Sequence, residues 1–163
     1  MWTVLLMSMM ALARQEKAHV HGQIHMNFAV EGKSGKIEMN LPTSLVYGFE
    51  YTPKSAKDKK AKDQGLQKLE DKISSMVVFD ESLKCHIKKE IFEINQRDSH
   101  SDLNAEFSFS CEKSPMGTSV TMNMGTVFPR IKTVHVDVIG EGVQKSQEIQ
   151  KDGESIDLKP KTD

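Results

Sequence analysis

The residues best suited to chemistry in this 163-residue chain are His19-Val20-His21 near the amino terminus, with His25 continuing the same alternation. Side chains two apart on a strand lie roughly 6.6 Å apart on one face, and two imidazoles so placed can converge on one cation at Zn–N distances of about 2.0–2.1 Å. His25 falls about 13 Å further along an extended strand, so it joins the same ion only through a bulge, or serves a second ion. A structural zinc site takes about four protein ligands and a catalytic one about three. A further donor is therefore needed, and His100, within Asp98-Ser99-His100-Ser101-Asp102, and His135 with Asp137 are the candidates. The competing reading is a row of solvated or locally hydrogen-bonded histidines. His86, set among lysines, reads as a plain surface residue.

Copper is the rival metal, because Met122-Asn123-Met124 offers two thioethers and soft sulfur selects Cu(I). A methionine stripe on an apolar strand face is more often core. Cys85 and Cys111 are an even pair, read first as one disulfide of an oxidising compartment, with two buried thiols as the alternative. Nothing favours catalysis. The chain has no Gly-x-Ser-x-Gly, phosphate loop, dinucleotide fingerprint or His-Glu-x-x-His, and Glu50 is a carboxylate beside aromatic residues without an evident partner. With 22 basic and 23 acidic residues the net charge is −1, which removes the usual electrostatic source of nucleic-acid binding. Binding of a metal ion is favoured over chemistry on a substrate.

The elements that must position these residues are mostly strands. From His19 to Glu31, Val20, Ile24, Met26, Phe28 and Val30 share one face and the histidines the other; after the turn Glu31 to Gly35, Ile37, Met39 and Leu41 form a return strand. An irregular stretch follows Pro42. Thr52-Pro53 offers an N-cap and a first-turn proline for a helix with Leu66, Leu69, Ile73 and Met76 on its apolar face and a solvated lysine-rich side. Strands then return: Leu83, Cys85 and Ile87 on one face; Leu103, Ala105, Phe107, Phe109 and Cys111 on another; then Val120, Met122 and Met124; then Val134, Val136 and Val138, with His135 and Asp137 opposite; and a short strand over Ser155 to Leu158. The expected class is α+β, a mainly antiparallel sheet with one inserted amphipathic helix.

Met1 to Ala13 is uncharged and apolar, ends in Ala11-Leu12-Ala13, and is short of the roughly 20 residues that span a bilayer. It reads as a signal peptide, followed by a linker at 14–18, a single domain at 19–158 and a polar tail at 159–163. After cleavage no stable membrane span is expected, and the chain is expected to be exported.

Several segments together carry a resemblance: Ala18-His19-Val20-His21-Gly22, Gly48-Phe49-Glu50-x-x-Pro53 before a charged helix, Cys85, His100 before Phe107-x-Phe109-x-Cys111, and Phe128-Pro129-Arg130. In this order they resemble the ZrgA family of periplasmic zinc-binding, zinc-uptake proteins. The resemblance implies capture of Zn²⁺ for import, with an importer component as a partner. It carries metal binding to His19 and His21, with His100 at the start of the strand leading to Cys111, and it pairs Cys85 with Cys111. Two departures stand out: the loop Asn95 to Leu103 holds one histidine where many relatives have a run, and Tyr51 stands where relatives often have histidine. Read from the residues alone, an envelope interaction protein without metal and a periplasmic copper-binding protein are the alternatives.

Overall fold

A computed structural model describes residues 22–160. Strands β1 (Gln23–Glu31) and β2 (Ser34–Pro42) form the expected hairpin, and their apolar positions are buried in strict alternation. The stretch after Pro42 is not wholly irregular: Thr43–Tyr47 is a short helix, α1, closed by Gly48 in the left-handed region at φ 100°. The long helix α2 (Ala56–Met76) starts later than expected. Ser55, not Thr52, is its N-cap, because the Ser55 hydroxyl accepts the Asp58 amide at 3.0 Å and satisfies an orphan donor of the first turn. Its buried face is Gly65, Leu69, Ile73 and Met76, with Leu66 at the margin.

The rest of the chain supplies β3 (Val77–Phe79), a 3-10 turn at Glu81–Leu83, β4 (His86–Arg97), β5 (His100–Ser110), β6 (Ser119–Met122), a four-residue helix α3 (Met124–Val127), β7 (Thr133–Gly140), β8 (Val143–Ile149) and β9 (Glu154–Asp157). Three expectations are corrected here. Leu83 belongs to the 3-10 turn, with Asp80 accepting the Ser82 amide at 2.8 Å, and Lys84 is left-handed, so β4 begins only at His86 and Cys85 precedes it. Met124 opens α3 instead of extending β6, because Asn123 leaves the extended region. Strand β8 was not expected, since only its end residues Val143 and Ile149 are buried. Hydrogen bonds from the Ser82 hydroxyl and then its amide hold the Asp80 carboxyl below its ordinary value.

Six strands form one sheet in the order β4-β5-β2-β1-β7-β8, and three form a second, β3-β6-β9. Among the described residues all pairings are antiparallel except β1 with β7, which is parallel. The fold is α+β and mainly β, as its sequence pattern implies. One face of the large sheet faces the core and meets α2 and the small sheet; Phe79 of β3, for example, packs on Phe28 and Phe109 with ring centroids 5.8 and 4.9 Å away. The other face carries His25, Asn27, Glu38, Asn104, Glu106, His135 and Asp137 and is open to solvent.

Gly65 is the point where α2 meets α1. A Cβ built there would lie 2.8 Å from the Tyr47 Cβ and 2.9 Å from the Val46 carbonyl oxygen, too close for either to stay in place. Gly65→Val should therefore cost about 1–3 kcal/mol through overpacking. Chemical denaturation checks this, and an unchanged midpoint would show that α1 can move aside freely.

Candidate metal centre

Four strand ends meet at one end of the large sheet: β1 starts there at Gln23, β2 finishes at Pro42, β5 starts at His100 and β7 starts at Thr133. The segment from Thr43 to Glu50 is fixed against the start of β5. Thr43, fully buried, donates through its hydroxyl to the Phe49 carbonyl at 2.9 Å and shares a short hydrogen bond with the buried Ser101 hydroxyl. Gln96 donates through Nε2 to the Glu50 and His100 carbonyls, each at 3.0 Å.

These contacts place Glu50 beside His100. Glu50 Oε2 lies 2.8 Å from His100 Nδ1, and Glu50 Oε1 accepts the Ser44 hydroxyl at 2.6 Å. The carboxylate is 22% exposed and the imidazole 71% exposed. An ionised carboxylate only accepts, so it fixes the proton of a neutral His100 on Nδ1 and leaves the Nε2 lone pair for another partner. This is the arrangement by which a carboxylate orients a metal-binding histidine. It is not a hydrolase triad, because the Ser44 hydroxyl meets the carboxylate and not the imidazole.

Arg130 joins this corner to β1. Its Nη1 donates to the Ser44 carbonyl at 2.7 Å, and its guanidinium lies against Gly48, where a Cβ would be 3.3 Å from Nη1. Its own carbonyl faces Gly22, whose oxygen accepts the Lys132 amide at 2.8 Å. Around Glu50 in the chain, the Tyr47 and Phe49 rings are tilted by 60° with centroids 4.7 Å apart, and the Phe49 and Tyr51 rings stack at 4.6 Å.

The other expected ligands are placed as follows. His19 and His21 lie outside the described residues. His25 and His135 stand in register on β1 and β7, with stacked rings whose centroids are 5.0 Å apart. Glu148 of β8 faces His135, its Oε2 being 3.6 Å from Nδ1. Asp137 is turned to a different partner and accepts the Ser146 hydroxyl. The described residues thus divide the expected ligands between His100 at the sheet end and His25 with His135 on the open face. Among the described residues no three His, Cys, Asp or Glu side chains are gathered closely enough to hold a metal ion.

Met122 and Met124 are both buried in the core. Cys85 and Cys111 form a disulfide, with half-buried side chains just outside the strands they flank. His86 is exposed. Glu50 is the residue that spacing could not identify: its partner is 50 positions away, and only its place in Gly48-Phe49-Glu50 marked it.

The corner of this mainly antiparallel α+β protein thus presents a solvent-facing imidazole held by a carboxylate. The profile of the ZrgA family zinc uptake protein matches residues 18–158, and the chain belongs to this family. No curated protein matches it significantly. Among the described residues no helix is long and apolar enough to cross a membrane.

Proposed function

We propose that the protein is a non-catalytic periplasmic zinc-binding protein that captures Zn²⁺ for uptake, using His19, His21 and His100 as ligands and Glu50 to orient His100. The observation that carries this reading is the Glu50–His100 pair. His100 heads a strand two places from β1 in the sheet, about 10 Å away at ordinary strand spacing. His19 and His21 precede Gly22 by three residues and one, and three residues of chain span at most about 10 Å before side-chain reach is added. Three imidazoles from a short leader and a fixed strand suit an ion that must later leave for an importer component. The disulfide fits an oxidising compartment. The apolar segment Met1 to Ala13 supplies the export signal in this reading.

Isothermal titration with Zn²⁺ tests it. The protein should show a saturable class of sites that a His19→Ala/His21→Ala variant loses; equal binding by the variant would remove the leader from the site. Competition with Cu²⁺ does not identify the cellular metal, because copper usually wins at nitrogen ligands.

The site should also be pH-dependent, with a fixed sign. Metal binding needs neutral imidazoles, so protons compete as pH falls towards the ordinary histidine pKa of about 6.5. With three such ligands, apparent zinc affinity should fall between pH 7.5 and 6.5 and not rise. A competing chromophoric chelator measures this, and a flat response over that interval would exclude a site built on three imidazoles.

A further inference from the structure

The open face of the large sheet carries a straight row of polar residues, one from each strand: Glu93, Asn104, Asn40, His25, His135 and Glu148, each in register with the next. Asn40 donates to Asn104 at 2.7 Å in the middle of the row. At the β8 side, His25 and His135 lie side by side with centroids 5.0 Å apart and planes 19° from parallel. We propose that His25 and His135 form a second, weaker site for a divalent cation, Zn²⁺ or Cu²⁺, with Glu148 orienting His135.

The separation of the rings carries this assignment. Two imidazoles bound to one zinc at about 2.0–2.1 Å in tetrahedral geometry have centroids about 5 Å apart. The backbone register of β1 and β7 already sets that distance, and it is fixed by flanking residues buried on the other face, Ile24, Met26, Val134 and Val136. The stacked planes are the feature that must change: one ring rotates so that both in-plane lone pairs meet. His25 is exposed and His135 about one-third exposed, so rotation meets little packing resistance. Glu148 Oε2 lies 3.6 Å from His135 Nδ1, beyond hydrogen-bond reach; the ring rotation that brings the lone pairs together is also what would let it accept from Nδ1 and favour the tautomer with Nε2 available. Two protein ligands leave the remaining positions to water. Such a site binds more weakly than one with three imidazoles and exchanges its ion faster.

None of these residues belongs to the His100 corner, so the two sites can be tested apart. Zinc titration of a His19→Ala/His21→Ala/His100→Ala variant should leave one weak class of sites, at least tenfold weaker than the tight class of the unmodified protein. Adding His25→Asn and His135→Asn should abolish that class, and Glu148→Gln alone should weaken it severalfold. In the unmodified protein, imidazole ¹⁵N resonances of His25 and His135 should shift only after the first equivalent of zinc is bound. Unshifted His25 and His135 resonances at millimolar zinc, or a weak class that survives their replacement, would overturn the proposal. A tight class that survives in the His19→Ala/His21→Ala/His100→Ala variant would instead count against the His100 site.

Discussion

His100→Ala should lower zinc affinity by about a hundredfold or more while leaving the fold in place, and Glu50→Gln should lower it by about ten- to a hundredfold. His100 is largely exposed and spends its Nδ1 on Glu50, so its removal opens no cavity. It removes the one proposed ligand whose position is fixed by strand pairing, through Arg97 and His100 at the end of the β4–β5 hairpin. The remaining proposed ligands are His19 and His21, and two imidazoles fall short of the three or four protein ligands that a zinc site takes. Glu50→Gln acts through orientation. An amide can donate as well as accept, so it no longer holds the His100 proton on Nδ1. Titration calorimetry at about pH 7.5, above the ordinary histidine pKa, measures both variants. Unaltered affinity in His100→Ala would separate the Glu50–His100 pair from metal binding altogether.

Replacing both cysteines with serine should destabilise the protein by about 3.5 kcal/mol on the chain-entropy estimate for the closed loop. At this size that corresponds to a thermal midpoint lower by roughly 7–14 °C. The bridge joins residues 26 apart and closes the open end of the β4–β5 hairpin, where His86 faces Ser110. The turn of the same hairpin, at Arg97 to His100, lies at its other end. The serine variant should therefore keep nearly unchanged zinc affinity under conditions where it is still folded. Calorimetry of unfolding and of zinc binding on the same sample separates the two effects. A midpoint unchanged by reduction would show that strand pairing alone holds β4, and zinc affinity lost together with the bridge would show that the hairpin transmits strain to its turn.

Much of the large sheet was legible because its inner strands bury every second residue. Ile24, Met26, Phe28 and Val30 on β1 and Leu103, Ala105, Phe107 and Phe109 on β5 are all buried, as their alternation required. Edge strands obey weaker constraints. β8 buries only Val143 and Ile149 at its ends, and β4 carries charges and a bulge between Lys89 and Ile91, so neither displays the full pattern. The start of α2 was read from Thr52-Pro53, whereas the structure caps the helix with Ser55, whose hydroxyl reaches a helical amide. The sites were less legible than the strands. Histidines were visible as ligand types, but which of them meet depends on the parallel pairing of β1 with β7, which spans more than a hundred residues of chain. Glu50 and His100 likewise meet only because Thr43, Ser101 and Gln96 fasten two distant segments together.

Imidazole ¹⁵N spectroscopy of the unmodified protein during zinc titration addresses the central claim most directly. In the proposed site, the first equivalent of Zn²⁺ moves the Nε2 resonance of His100 to the metal-bound range while its Nδ1 stays protonated against Glu50, with His19 and His21 shifting in the same step. A His100 ring that keeps its zinc-free resonances once the tight site is saturated would contradict the proposal.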